Sequence, residues 1–133
     1  MACNYSKYFK RLYERRIEAV KVQFREVRFK GWQPVPNKCH DNVDHWVNCH
    51  TQSKAVRGWI FWPPDETGRC TFMAHSVVEE NGELIDITPI DENTPRKGLF
   101  FLTHLGSEAE FALMKTACSQ VPYPPVTMVE LRE

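Results

Sequence analysis

The chain lacks any apolar run long enough to cross a bilayer. Its longest runs, such as Trp59-Ile60-Phe61-Trp62, fall far short of the ~20 residues a spanning helix needs. The opening Met-Ala-Cys-Asn-Tyr turns basic with no apolar segment after it, so no secretory leader is expected and a cytoplasmic location is the default. There is no internal repeat and no low-complexity tract. There is no net charge either: 17 Lys and Arg balance 17 Asp and Glu. Finally, no Cys-x-x-Cys pair occurs among Cys3, Cys39, Cys49, Cys70 and Cys118. An odd count without that spacing argues against a disulfide framework and leaves core filling, zinc binding or chemistry for the thiols.

What is present is ordinary for a soluble fold: 133 residues, 42% hydrophobic and 26% charged. A disordered tail, a collagen and a coiled coil are excluded, and the length suits one domain, 1–133. The zero charge conceals a split. Residues 1–38 hold ten basic and three acidic side chains, net +7, and the remainder balances it at −7. Internal complementarity is the simplest meaning, with a docking surface for an acidic partner as the other.

Tyr5, Phe9, Leu12, Tyr13, Ile17, Val20 and Phe24 recur at spacings of three and four. That spacing predicts a basic amphipathic helix from Tyr5 to about Phe29, within 1–31, ahead of the body of the domain over 32–133. Gly31, Pro34 and Pro36 break the chain, and a second helix is expected from about Asn37 or Lys38. Strands are expected at 55–62, 70–79, 83–88 and 98–102, and an edge strand at 126–131. Ser107-Glu-Ala-Glu110 is a capping box, so a helix is expected over 108–118. The order suggests α+β, with helices packed at one side of an antiparallel sheet.

Asn81-Gly82 is a strong hairpin turn. If it forms a two-residue loop, paired residue numbers sum to 163. His75 and Asp86 then become diagonal neighbours on one face, within reach of an imidazole and a carboxylate. A carboxylate fixes the tautomer and direction of a histidine ring, whose other nitrogen can deprotonate a nucleophile. The candidate nucleophile is Cys39, in the first turn of the second helix, where the dipole and free N–H groups favour a thiolate. The same turn offers an oxyanion hole from the Cys39 N–H plus one side-chain donor. Gln33 is the first candidate for that donor and Asn37 the second. His40, beside Cys39 in sequence, is a rival imidazole for the role of base.

Cysteine at a helix start, then histidine and aspartate on later adjacent strands, resembles the layout of the papain-like fold. Ala74-His75-Ser76-Val77-Val78, Gly82 and Ile85-Asp86-Ile87-Thr88-Pro89 resemble the histidine–aspartate hairpin of the transglutaminase-like cysteine hydrolases. Gln33, six residues before Cys39, is similar to the papain arrangement. The match runs from Gln33 to Pro89. It departs from papain at Asn37-Lys38-Cys39-His40, where papain-type enzymes have a Gly- and Ser-rich stretch ending in Cys-Trp. The resemblance implies a small papain-like domain with a Cys39–His75–Asp86 triad. It also implies thiol chemistry at an acyl carbon of a protein or peptide: a peptidase, an isopeptidase, a glutamine deamidase or an acyltransferase, with no cofactor.

Two rivals stand beside it. Zinc is one: Cys39, His40, His45, Cys49, His50, Cys70 and His75 are all ligand types, and His45 and Cys49 are i, i+4 neighbours. Cys70 and His75 have opposite strand parity and do not suit a shared metal. The other is a non-catalytic interaction domain whose basic helix, interleaving Tyr8, Phe9 and Tyr13 with Lys and Arg, meets nucleic acid; the zero net charge argues against it. His104 and Asp91 find no partner in the sequence pattern.

Overall fold

A computed structural model of the chain describes residues 5–62, 64–90 and 99–124. The elements run α1 (Ser6–Glu14), β1 (Val20–Phe24), α2 (Cys39–Cys49), β2 (Lys54–Trp62), β3 (Cys70–Glu80), β4 (Glu83–Asp86), β5 (Leu99–Thr103), α3 (Glu108–Ala117) and β6 (Gln120–Tyr123). The strands lie in the order β2-β5-β1-β4-β3, and β3 pairs back onto β2, so five strands close into a barrel. β6 adds to β3 outside that ring.

This corrects the expected papain-like arrangement of helices on an open antiparallel sheet. The long N-terminal helix is the first casualty. α1 ends at Glu14, a 3₁₀ turn follows at Arg16–Glu18, and the chain becomes β1. Val20, Val22 and Phe24 fit a two-residue alternation as well as a helical spacing, and β-branched residues favour the strand. β1 then pairs antiparallel with β5, Val22 opposite Leu99, and parallel with β4, Phe24 opposite Asp86. It is the stave that closes the barrel, and the sheet is mixed. The edge strand expected at 126–131 lies outside the described residues.

Alternation along the staves sorts the core into an inside and an outside. Val22, Ile60, Val77, Leu99 and Phe101 pack together within the barrel. On one outer flank, Phe9 and Leu12 of α1 and Phe111 and Met114 of α3 cover Trp59, Phe72 and Leu102. On another, Val43 and Trp46 of α2 cover Val78, Ile85 and Ile87. The hairpin has the expected register: Val78 faces Ile85, Glu79 faces Leu84 and Glu80 faces Glu83. Asn81 and Gly82 both adopt positive φ, 55° and 79°, as a type I′ turn demands. Glu80 accepts from Trp46 Nε1 at 2.9 Å and Arg25 at 2.6 Å, which ties α2 and the end of β1 to this hairpin.

Cys118, at the end of α3, is disulfide-bonded, so the expectation of reduced thiols throughout fails there. No helix among the described residues is long and apolar enough to cross a membrane.

Candidate active site

β3 is covered along one edge by β2, from Thr71 to Glu79. Its other edge is shared: β6 pairs with Cys70–Met73 and β4 with Val78–Glu80. Between them lies a window at residues 74–77, where the Ala74 N–H bonds to Ser119 O at 2.9 Å. His75 sits in this window. It shares strand parity with Met73 and Val77, so its ring belongs to the inner face of the barrel. Ser76 faces outward. Gly58 stands opposite His75 in the ladder, and any side chain there would collide with the Phe101 ring and the Leu102 carbonyl.

His75 Nε2 lies 2.9 Å from Asp86 Oδ1. A carboxylate can only accept, so Nε2 carries the proton. His75 is 4% exposed and Asp86 0%. The Thr88 N–H also reaches Asp86 Oδ1, at 3.3 Å. With Nε2 occupied, Nδ1 is left for Cys39, which lines the same cleft and helps to raise the pKa of the ring. The diagonal placement on one hairpin and the helix start thus converge: the structure brings Cys39, His75 and Asp86 into one line.

The electrostatics of the line follow from its contacts. Burial pushes the Cys39 thiol up. Hydrogen bonds from His40 and His75, and the positive charge those rings carry when protonated, outweigh it and hold the thiol at about 5. Burial likewise opposes charge on His75, but its hydrogen bonds to Asp86 and Cys39 and the charges on both raise it to about 9. The two sites are coupled and titrate as a pair. Between those values the pair is a thiolate beside an imidazolium.

Asn42, fully engaged and buried, fixes the loop that leads to Cys39. Its Nδ2 donates to Val35 O at 2.9 Å and Thr88 Oγ1 at 3.0 Å, and its Oδ1 accepts from the Val35 N–H at 3.0 Å. One side chain therefore clips together the approach to Cys39, the first turn of α2 and the loop after Asp86. Sequence reasoning did not find it. An Asn three residues after Cys39 carries no motif, and its partner Thr88 is distant in the chain.

Lys38 at the N-cap of α2 makes no side-chain cap. The first N–H groups of α2 therefore remain available to an oxyanion. Asn37, at φ 65°, lines the cleft with Cys39 and His40. Gln33 does not. It is exposed and absent from the lining, because Lys30 and Gly31 turn the chain at positive φ, pair Phe29 with Trp32, and lead residue 33 away. The cleft measures about 420 Å³. Ile60 and Met73 of the barrel interior line its floor, and Lys115 and Gln120 its rim.

The zinc ligand types are dispersed. His45 stacks on Trp32 at 4.1 Å and meets Cys49 at 3.8 Å on the surface. His50 stacks on Trp46 and its Nδ1 bonds the Trp46 carbonyl at 2.9 Å. Cys70 is buried. Among the described residues no three His, Cys, Asp or Glu side chains are placed to share a metal ion. The aromatic residues of α1 face the protein: Phe9 is buried, and Tyr8 accepts from Trp59 Nε1 at 2.9 Å and from the Leu105 N–H at 3.1 Å. The same hydroxyl bonds His104 Nδ1 at 2.7 Å, which gives His104 the partner that the sequence pattern left blank. Asp91 lies outside the described residues.

Comparison with family models, with curated proteins and with solved structures finds no match for this chain.

Proposed function

We propose that this protein is a cysteine-dependent hydrolase or acyltransferase acting on amide bonds of a protein or peptide. The observation that carries the reading is that Cys39, at the start of α2, shares a cleft with His75, whose ring is hydrogen-bonded to buried Asp86. The resemblance of the His75–Asp86 hairpin to that of transglutaminase-like hydrolases adds to it.

In this reading the Cys39 thiolate attacks the carbonyl carbon and the carbonyl π pair moves onto oxygen. The N–H groups opening α2 receive that oxyanion. The C–N bond then breaks as His75 hands its Nδ1 proton to the leaving amine, leaving a thioester. Water or a second amine, deprotonated by His75, attacks the thioester and releases Cys39. Asp86 keeps Nε2 protonated and steadies the imidazolium through the cycle. Hydrolysis, deamidation and transfer differ only in the amine released and the nucleophile that follows.

The test is an acyl-enzyme. Mixed with p-nitrophenyl acetate, the protein should release a burst of p-nitrophenol equal to its own concentration and carry one acetyl group on Cys39 by mass spectrometry. A protein whose Cys39 alkylates readily but never acylates would not be an acyl-transfer enzyme.

A further inference from the structure

His40 is the ring that the Cys39–His75–Asp86 line does not use. Its Nδ1 lies 2.6 Å from Ser76 Oγ, and Arg57 donates to the same oxygen at 2.9 Å. A guanidinium only donates, so it takes a lone pair of the hydroxyl. Ser76 is 0% exposed, and its proton finds its acceptor in His40 Nδ1. In the neutral ring the proton of His40 therefore sits on Nε2. Arg57 is itself pinned by Asp44 on α2 and by Glu108 on α3. The ring of His40 packs edge-on against buried Phe111, 5.7 Å away. Its position is thus fixed from two helices and a strand. With Nδ1 occupied, Nε2 is the nitrogen left for the cleft that His40 lines together with Cys39.

We propose that the His40 Nε2–H is the side-chain donor of the oxyanion hole, the part expected of Gln33. The inference rests on the acyl-transfer reading of Cys39. When Sγ bonds the carbonyl carbon, the new oxyanion sits two bonds from sulfur. A donor that lines the cleft beside Cys39 is then placed to meet that oxygen. The two imidazoles divide the work by what stands behind them. His75 has a carboxylate behind it and moves protons. His40 has a hydroxyl backed by an arginine, and it donates a hydrogen bond without giving up its proton.

Two reagents separate the roles. Iodoacetamide is attacked at a saturated carbon and forms no oxyanion; p-nitrophenyl acetate forms one. Both rates are measured on Cys39 in wild type, His40→Phe, His40→Gln and Ser76→Ala, each at the pH where its thiolate is fully formed. His40→Phe should lower acylation about 10²–10³-fold and leave alkylation within about threefold. His40→Gln, which keeps an N–H donor, should recover part of the loss. Ser76→Ala, which frees the tautomer, should lower acylation by a smaller factor with alkylation unchanged. Unchanged acylation in the His40 and Ser76 variants overturns the proposal, as does a parallel fall of both rates. A wild-type protein that alkylates but never acylates overturns the acyl-transfer reading, and this inference with it.

Discussion

Cys39 should alkylate with a pH profile unlike that of the same thiol in the denatured chain. In the folded protein it titrates at about 5; unfolded, it returns to ~8.5. At pH 6 the folded thiol is about nine-tenths ionised and the unfolded one about 0.3%, a ratio of roughly 300. A weaker base is also a weaker nucleophile. With a Brønsted slope of ~0.4–0.5 over ~3.5 pH units, the folded thiolate is intrinsically about 25–60-fold slower. The net expectation is alkylation about tenfold faster than in urea at pH 6, equal rates near pH 7, and a reversal above it. Rates with iodoacetamide, followed by mass spectrometry on the Cys39 peptide from pH 4 to 9, supply the curve. His75→Ala removes one of the two rings that hold the thiolate and should move the folded midpoint upward. A folded protein with a single midpoint near 8.5, indifferent to His75→Ala, would refute the thiolate–imidazolium pair.

Other expectations follow from the same contacts. Asp86→Asn should lower turnover about 10²–10⁴-fold while Cys39 still alkylates, as rates of acyl-enzyme formation and alkylation would show together. Asn42→Ala strands two groups of Val35 and the Thr88 hydroxyl, and should cost about 2–3 kcal/mol in urea melts. Glu80 is held at about 2 because its hydrogen bonds from Ser53, Trp46 and Arg25 and the Arg25 charge outweigh burial. A depressed carboxylate stabilises above its ordinary value, here 4.5, and that contribution is lost as pH falls from 4.5 towards 2. Glu80→Gln should therefore cost about 2 kcal/mol at pH 7 and flatten the acid limb of stability against pH. Gly58→Ala drives a methyl group into Phe101 and the Leu102 carbonyl; thermal melts should show a loss of about 2 kcal/mol or more.

The parts of the site legible in the sequence were those set by local chemistry. Asn81-Gly82 dictates its turn, the turn dictates the register, and the register places His75 diagonal to Asp86. Pro34, Pro36 and the apolar spacing of Val43 and Trp46 mark where α2 begins, and so put Cys39 at a dipole end. What stayed hidden was non-local. β1 pairs in parallel with β4 and antiparallel with β5, strands more than fifty residues away, and nothing within five residues announces such partners. Val20 and Phe24 satisfied both periodicities, and only the pairing decided between them. Gln33 was placed by analogy of spacing, but the positive-φ turn at Lys30-Gly31 sends it outward. His40 was visible as a rival base; its partner Ser76 is one residue from His75 and on the opposite face of β3, a relation that appears only when both faces are occupied.

The stave that shuts the barrel is also the one that seals the back of Asp86. Phe24 lies beside it, and the Arg25 N–H bonds its carbonyl at 2.9 Å. Residues 20–25 leave the ribosome before any strand they will pair with. A chain held short of β5 therefore cannot complete the ring. Until it does, water reaches the carboxylate, and the low-dielectric setting that strengthens its bond to His75 is missing. The temper of a single sulfur atom thus gauges whether the whole cylinder has shut. Displacing residues 20–25, which do not line the cleft, should quiet Cys39.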